Sequence, residues 1–210
     1  MISKFDELEN LYSSKIDAIS FEKYFNEMDL TDEQKEERID FAISLFVIFA
    51  TVFELAKSYK IGDEEINEQF LIDYASMRYN DRVDEVFTDN TNHIKTYVGL
   101  IVADIIATTI EKVDKTYFTS EERAIAISEN ESNTIYNYID LQKAIKQGKT
   151  RKKWITMKDK RVRHTHLEVD DTLIGIKEQF TVGGYKCYCP KDTTLPPKEV
   201  IHCRCVLKYY

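Results

Sequence analysis

The placement of proline and glycine constrains the fold of this chain more than any other feature. All three prolines lie beyond residue 189, and only Gly62 and Gly99 interrupt the first 147 of the 210 residues. Because glycine and proline are the strongest local breakers of regular structure, a long stretch almost without them favours helices. We predict an α+β fold, with a mostly helical N-terminal body followed by a small β-rich C-terminal unit.

Capping patterns and turn residues locate the predicted helices. Thr31-Asp32-Glu33-Gln34 and Thr119-Ser120-Glu121-Glu122 fit the capping box, in which a hydroxyl and a Glu or Gln side chain satisfy free backbone N–H groups. Gly148 is a plausible helix stop. We predict helices over 4–27, 32–59, 63–87, 91–116 and 120–147, with turns at 62–63 and 88–90.

The most apolar segment of the chain is Phe41–Phe53. It has thirteen residues, with Ser44 and Thr51 among them, whereas about 20 residues are needed to span a bilayer. A helix that is apolar all round is usually the buried centre of a bundle. We therefore predict a core helix and expect no membrane partner, with insertion into a membrane as the alternative. The charged first twenty residues do not resemble a signal peptide, so we expect synthesis in the cytoplasm.

The character of the sequence changes after Gly148. Val162, Leu173 and Phe180 belong to a β-prone set mixed with polar residues, and Gly183-Gly184 and Pro196-Pro197 indicate turns. Only about sixty residues would have to bury a core here, and a unit of that size commonly relies on a larger body or on a cross-link. We predict a β-rich unit over 149–210, with a strand near residues 160–164.

Charge is unevenly distributed along the chain. The formal net charge is -8, but the segment Leu141–Arg163 carries ten basic residues against the single acid Asp159. Such a basic strip on an acidic body suits contact with a polyanion or an acidic partner, and a solvated helix end and loop is the alternative. The candidate nucleic-acid-binding or partner-binding residues are Lys149, Arg151, Lys152, Lys153, Lys158 and Lys160.

The four cysteines form two pairs, Cys187-x-Cys189 and Cys203-x-Cys205. Thiolates from two loops can surround one tetrahedral zinc ion, although structural zinc sites usually have two to four residues between paired cysteines. His166, His164 or His202 could replace one sulfur. We predict a structural zinc ion held by Cys187, Cys189, Cys203 and Cys205. Reduced buried thiols and disulfides are the alternatives.

Charged residues and histidine cluster around His166. With Arg161 and Arg163, His166 could act as the general base of a nuclease or toxin-like hydrolase, because guanidinium groups match phosphate oxygens. The alternative is a structural network, in which both arginines pair with Asp159 and with Glu residues of the helical body. A second convergent acid or a nucleophile is not evident in the sequence, and this favours the structural network.

A family resemblance rests on these same residues. The pattern Trp154, Asp159, Arg161-Val162-Arg163 and His166, followed by Cys203-Arg204-Cys205, resembles the phage head morphogenesis family, which is similar to the F protein of phage Mu. Upstream, Ile125-Ala126-Ile127-Ser128-Glu129 is similar to the family's Ile-Ala-Arg-Thr-Glu helix motif. The resemblance covers about residues 120–207. We therefore predict a helical body over 1–119 and a Mu F-like domain over 120–210, with a helix at 120–147.

The sequence also departs from the family pattern. Asp170-Asp171 stand where a glycine usually follows the histidine, and His202 stands where the family commonly has Asn. Cys187-x-Cys189 is an addition to the common pattern. The family motif assigns Glu129, Trp154, Asp159, Arg161, Arg163 and His166 to a structural network, with no catalytic residue.

The resemblance implies a minor head protein of a phage or prophage. Such a protein associates with the portal and other capsid components, lies in the procapsid interior, and assists assembly and DNA packaging or delivery. It would be made in the bacterial cytoplasm, and contact with phage DNA is an open expectation. Members of the family occur fused to toxin domains, and we expect no such domain here. The alternatives are the hydrolase described above and a zinc-stapled module that binds nucleic acid.

Overall fold

The computed structural model describes residues 4–16, 20–60, 67–88 and 92–210. The chain forms two compact units. The first comprises Met1–Phe21 and Asp40–Ser128, and the second comprises Glu22–Ile39 and Glu129–Tyr210. Residues 22–39 thus belong with the C-terminal residues, whereas the predicted division between residues 119 and 120 stays a prediction.

Eight α-helices and five strands lie within the described residues. The helices are α1 (Lys4–Ser13), α2 (Glu22–Asn26), α3 (Asp32–Lys60), α4 (Glu68–Val86), α5 (Asn92–Glu111), α6 (Glu121–Lys146), α7 (His164–Leu167) and α8 (Pro197–Val200). The strands are β1 (Arg151–Ile155), β2 (Leu173–Gly175), β3 (Phe180–Val182), β4 (Tyr185–Cys187) and β5 (Val206–Tyr209). The predicted α+β class, with helices first and a small β-rich region last, is confirmed.

The helix signals in the sequence correspond to capping interactions. At the start of α3, the Thr31 N–H donates to Gln34 Oε1 at 3.1 Å, and the Gln34 N–H donates to Thr31 Oγ1 at 3.2 Å, as in a complete capping box. At the end of α6, Gly148 has φ +76°, and the N–H groups of Gly148 and Lys149 donate to Ile145 and Ala144. This is a Schellman motif, so the predicted helix stop is confirmed.

Several predicted helix boundaries were wrong. The helix predicted over 4–27 is two helices, because the Ser14 hydroxyl donates to the Leu11 carbonyl at 2.7 Å and competes with helix continuation. The helix predicted to end at 116 ends at Glu111, and a short 3-10 helix follows at Thr116–Thr119. The cap of α6 is Ser120 rather than Thr119, since Ser120 Oγ accepts from the Arg123 N–H.

Two further predictions fall partly on residues outside the described ranges. The predicted turn at 62–63 lies there, as do residues 89 and 90 of the turn at 88–90. The start predicted for the third helix, residue 63, also lies there. Within the described ranges, Asn67 caps α4, and its side-chain oxygen accepts from the Phe70 N–H at 2.9 Å.

The core of the first unit contains the apolar part of α3. Phe41, Leu45, Phe49 and Phe53 are each at most 1% exposed. Two described helices, α3 and α5, are long and apolar enough to cross a membrane by length and composition alone. In α3, however, 67% of the most apolar window is buried inside the protein. Burial of this kind is the property of a core helix that the sequence predicted for segment 41–53.

The second unit contains two small antiparallel sheets. One has strand order β2-β1-β5, with Trp154 of β1 opposite Leu207 of β5, and the other is the hairpin β3-β4. Gly183 and Gly184 form the two-residue turn of this hairpin, with φ +56° and +87°. Positive φ at both turn residues matches the twist of the flanking strands and explains why glycine occupies both positions.

The prediction of a strand near residues 160–164 was wrong. This segment is a turn followed by α7. The reason is local: Asp159 Oδ1 accepts from the Arg161 N–H at 2.9 Å, and the Asp159 carbonyl accepts from the Val162 N–H at 3.1 Å. An aspartate that binds its own backbone two residues ahead stabilises a turn in place of a strand.

Candidate functional site

Trp154 lies at the centre of the core of the second unit. Its side chain is fully buried on β1, and its ring meets the rings of His166 and Phe180 edge to face, with centroids 5.8 and 5.2 Å away. The indole N–H has no hydrogen-bond partner within the described part of the chain. The pKa of the Cys205 thiol is raised by its hydrogen bond with Cys203 and by burial, and the Trp154 indole acts in the opposite direction. Trp154 and the four cysteines thus belong to the same buried core.

His166 joins this core to the Cys203-Arg204-Cys205 motif. Its side chain is 2% exposed, and Nδ1 lies 3.3 Å from Cys205 Sγ and 3.6 Å from Cys203 Sγ. One ligand atom from each of these three residues lies within 4.8 Å of the other two. The motif histidine and the two closing cysteines, far apart in sequence, therefore form one buried cluster.

Glu199 occupies the other side of the imidazole. Its Oε2 lies 3.2 Å from His166 Nε2 and accepts from the Thr165 hydroxyl at 2.8 Å. The Glu199 side chain is 5% exposed. A carboxylate in this position can accept a hydrogen bond from Nε2–H, and the other ring nitrogen, Nδ1, faces the two sulfurs.

The hydrogen bond between the two thiols of the cluster shifts their pKa values in opposite directions. A hydrogen bond from Cys205 lowers the pKa of the Cys203 thiol well below its usual value, and His166 acts in the same direction. The same bond, together with burial, raises the pKa of Cys205 well above its usual value. The charge of Lys191, whose side chain is buried, also favours the Cys203 thiolate. The structure thus stabilises a thiolate in a buried position.

The other cysteine pair behaves differently. Cys187 and Cys189 are buried in the same apolar core, but they are not part of the group of ligand atoms formed by His166, Cys203 and Cys205. Burial raises the pKa of Cys187 to about 12 and raises that of Cys189 well above its usual value. Among the described residues, the structure therefore brings together two of the four predicted sulfurs with His166 and not all four.

A separate ionic network contains the remaining charged residues of the motif. Arg204 Nη2 donates to both carboxylate oxygens of Asp159, at 2.8 and 2.7 Å, and Arg204 Nη1 donates to Glu27 at 3.1 Å. Arg161 also donates to Glu27 and Asp159, at 2.7 and 3.2 Å. Two arginines thus share two acids. This arrangement lowers the pKa of Asp159, with Arg204 as the largest cause.

Arg163 and Glu129 have separate surroundings. The Arg163 guanidinium donates to the Ile201 carbonyl, close to the Cys-Arg-Cys motif. Glu129 lies on α6, and burial, followed by repulsion from Glu27, raises its pKa to about 7. Lys191 Nζ donates to Asn130, the residue after Glu129 on α6, and to the Val200 carbonyl. The motif positions are thus held mainly by contacts within the protein.

The predicted basic strip is divided by burial. Lys152 is fully buried, and its amine donates to the Tyr188 carbonyl at 2.8 Å. Lys153 and Lys158 both pair with Asp171, at 3.0 and 2.7 Å. The exposed members of the strip are Lys149, Arg151, Lys158 and Lys160. Lys152 lies two residues before Trp154 on the same strand. Because side chains two residues apart on a strand point to the same face of the sheet, the burial of Lys152 could have been predicted from that of Trp154.

Sequence reasoning missed several partners of the motif. Arg204 stands inside the quoted Cys-Arg-Cys motif, so its position next to the site was available from the sequence. Glu27 and Glu199 carry no local pattern, and only the fold brings them to Arg204 and to His166. Neither a repeat nor a spacing rule would have distinguished these two acids from the other Asp and Glu residues.

Comparison with known proteins identifies the family. Residues 101–208 match the family described as Phage Mu protein F like protein, and this stretch is more than half of the chain. The chain belongs to the phage Mu F-like family. The resemblance deduced from the motif residues is therefore confirmed, and this phage Mu F-like protein is related to phage head and capsid proteins.

Two relatives resemble parts of the chain. An NAD(+)--arginine ADP-ribosyltransferase EFV from Enterococcus faecalis is 28% identical over 129 residues, 58% of this chain and 25% of that protein. Uncharacterized protein YqbB from Bacillus subtilis is 38% identical over 47 residues, 21% of this chain and 15% of that protein. The chain thus spans a quarter or less of either relative. No solved structure matches.

Proposed function

We propose that this protein is a minor head protein that associates with the portal and assists procapsid assembly and DNA packaging or delivery. The observation that carries the proposal is the family match over residues 101–208. Proteins of this family are phage head components, which supports a place in the virion and contact with other capsid components. Three features of the proposal go beyond the family match, namely the contact with the portal, the position in the procapsid interior and any contact with DNA.

The surroundings of the motif residues support a role without catalysis. A general base must reach the proton that it abstracts, whereas the His166 side chain is buried and its two ring nitrogens face Glu199 and the cysteine sulfurs. Arg161 is bound to Glu27 and Asp159, and Arg163 to the Ile201 carbonyl. These interactions favour a structural network over a phosphate-binding site.

Co-expression with the cognate portal protein tests this function. We expect the two proteins to co-sediment as a complex with the portal oligomer, and the purified chain to lack nuclease activity. Sedimentation of the chain apart from an assembled portal would contradict the portal association. Nuclease activity that His166→Ala abolishes in a folded protein would favour the enzyme alternative, since a general base contributes about 10²- to 10⁴-fold in rate.

One relative suggests a further assay. The name of the Enterococcus faecalis relative describes an arginine ADP-ribosyltransferase, and this chain matches 25% of that protein. Incubation of the purified chain with labelled NAD⁺ and an arginine-rich acceptor should give no transfer of label. Transfer above the level of a heat-denatured sample would contradict the proposal that the chain has no catalytic role.

A further inference from the structure

The cluster of His166, Cys203 and Cys205 has the composition and geometry of a metal site. We propose that His166 Nδ1, Cys203 Sγ and Cys205 Sγ bind one structural zinc ion, and that Cys187 and Cys189 take no part in it. Neutral imidazole and thiolate are the ligands that Zn²⁺ prefers in structural sites. All three side chains are buried, as expected for ligands that hold a small core together.

The distances between the ligand atoms fit one ion. Zn–N and Zn–S bonds of about 2.0–2.1 and 2.3 Å at a tetrahedral angle place nitrogen and sulfur about 3.6 Å apart. In the structure, Nδ1 lies 3.3 Å from Cys205 Sγ and 3.6 Å from Cys203 Sγ. Small side-chain movements are therefore sufficient for these atoms to surround a zinc ion.

Glu199 supplies the outer contact that zinc-binding histidines usually have. Such histidines donate their second ring N–H to a carboxylate or carbonyl, which fixes the tautomer and the ring orientation. Glu199 Oε2 lies 3.2 Å from His166 Nε2 and is held by the Thr165 hydroxyl. A Cβ atom at Gly183 would lie 2.7 Å from Glu199 Oε1, so the hairpin turn packs directly against this carboxylate. We infer that Glu199 is a positioning residue for the zinc ligand.

The charges around the cluster balance when zinc is bound. A zinc ion and two thiolates are neutral together, so a bound ion leaves no net charge on this buried group of ligands. Buried charge is tolerated when it is paired or coordinates a metal, and a zinc ion satisfies both sulfurs at once.

A small pocket adjoins the three ligand atoms and offers the fourth coordination position. It is lined by His166, His202, Cys203, Arg204 and Cys205 with four neighbouring residues of the loop 157–163, and its volume is about 10 Å³. This is about the space that one water molecule needs. In our proposal a water molecule in this pocket completes the tetrahedron, in place of the fourth protein ligand that structural zinc sites usually have.

Metal analysis of the full chain tests the proposal. Protein purified without added metal, and again after dialysis against zinc, should contain about one zinc per chain. Cys205→Ser and His166→Ala should lose it, whereas the double variant Cys187→Ser/Cys189→Ser should keep it. The double variant is the control, because it replaces buried sulfurs of the same core that are not among the proposed ligands.

Two measurements keep the test decisive if a ligand variant does not fold. Cobalt exchanged into the wild-type protein should give a thiolate-to-cobalt absorption band, which the Cys187/Cys189 double variant retains. Glu199→Gln should fold and bind zinc 10- to 100-fold more weakly in competition with a chelator, as changes in outer contacts usually do.

Three outcomes would overturn the proposal. Zinc-free wild-type protein with four thiols that titrate after unfolding would mean that the cysteines only pack. Loss of zinc from the Cys187/Cys189 variant and retention by Cys205→Ser would place the ion on the other pair. A mass corresponding to a Cys203–Cys205 disulfide in protein purified with a thiol-blocking reagent would indicate a redox pair. None of these results depends on whether the chain binds a portal.

Discussion

At the scale of single residues, His166 connects the parts of the motif that sequence reasoning left separate. The imidazole contacts Trp154 through its ring, both closing cysteines through Nδ1 and Glu199 through Nε2. These motif residues, which lie far apart in the sequence, therefore form one buried cluster around His166 in the core. It follows that substitutions around His166 should be measured first as changes in stability.

Gly183 offers the sharpest single-residue test of this arrangement. Gly183→Ala would strain a backbone at φ +56° and would also push the new Cβ against Glu199. We expect a loss of about 2–3 kcal/mol of unfolding free energy, from left-handed backbone strain plus displacement of a buried carboxylate. Denaturant unfolding at neutral pH measures it.

Gly184→Ala is the matched control for that variant. It lies in the same turn at φ +87°, but a Cβ there meets nothing within 4 Å. It should cost only the backbone strain, about 1–2 kcal/mol. Equal losses in the two variants would show that the contact with Glu199 contributes nothing.

Glu129 predicts a dependence of stability on pH. Its pKa in the folded protein is raised from 4.5 to about 7, mainly by burial. The folded state therefore binds more protons than the unfolded state between these values, and stability falls as the pH rises through this window. Glu129→Gln should remove this pH dependence. Relative to wild type, the free energy of unfolding of the variant should rise by about 1 kcal/mol between about pH 5 and pH 8, after allowance for the partial exposure of Glu129.

Glu122→Gln is the control for this pH effect, because Glu122 is an exposed acid on the same helix. Its stability profile should follow that of the wild type. If Glu129→Gln also follows the wild type across the same pH range, burial does not hold the Glu129 carboxyl protonated.

At the scale of elements, the loop after β1 is organised by ionic contacts. Asp159 forms the turn through its own backbone and binds Arg204 of the segment before β5. Tyr24 and Asn133 both donate to the Cys203 carbonyl, at 3.1 and 3.3 Å. Residues on α2 and on α6 therefore hold the Cys-Arg-Cys segment in place within the second unit.

Arg204→Lys tests this organisation. A lysine amine cannot reproduce the planar guanidinium that spans Asp159 and Glu27, and Arg204 is only 8% exposed. We expect a loss of about 1–2 kcal/mol, less than for a fully buried pair because both acids are partly exposed. Thermal unfolding at constant salt measures the change.

Arg161→Lys is the control, because Arg161 binds the same two acids with a side chain that is 61% exposed. Its loss should be smaller than that of Arg204→Lys, as expected for an exposed ion pair that is screened by solvent. A larger loss for Arg161→Lys than for Arg204→Lys would contradict the dominant role that we assign to the buried arginine.

Elements whose signals are local could be predicted from the sequence. The capping box at Thr31, the stop at Gly148 and the turn at Gly183-Gly184 each depend on residues a few positions apart, and all three form as expected. The break after Ser13 and the turn at Asp159 were missed because a polar side chain outcompetes a regular hydrogen bond there.

The candidate site could be predicted only in part, because some of its contacts join segments that are distant in the sequence. Its motif residues were available from the sequence, but Glu199 and Glu27 reach the motif through tertiary contacts between distant segments. The grouping of Cys203 and Cys205 apart from Cys187 and Cys189 likewise depends on the fold of the second unit. Spacing alone left all four sulfurs as equal candidates.

At the scale of the whole molecule, the family match and the burial of the motif residues both favour a structural role for this protein. The chain belongs to the phage Mu F-like family, and its motif residues support the fold by contacts within the protein. A head component must survive assembly and packaging, and motif residues buried in the core of the second unit suit that requirement. We propose that this protein is a component of the phage head.

Quantitative mass spectrometry of purified procapsids and mature particles tests this claim most directly. Our account predicts that peptides from this chain are present in the particles, in a few copies and at a constant ratio to the portal protein. The chain should persist after treatment of intact particles with protease, as an internal protein does. Its absence from the particles, while it is abundant in the lysate of the same infected or induced cells, would contradict the account.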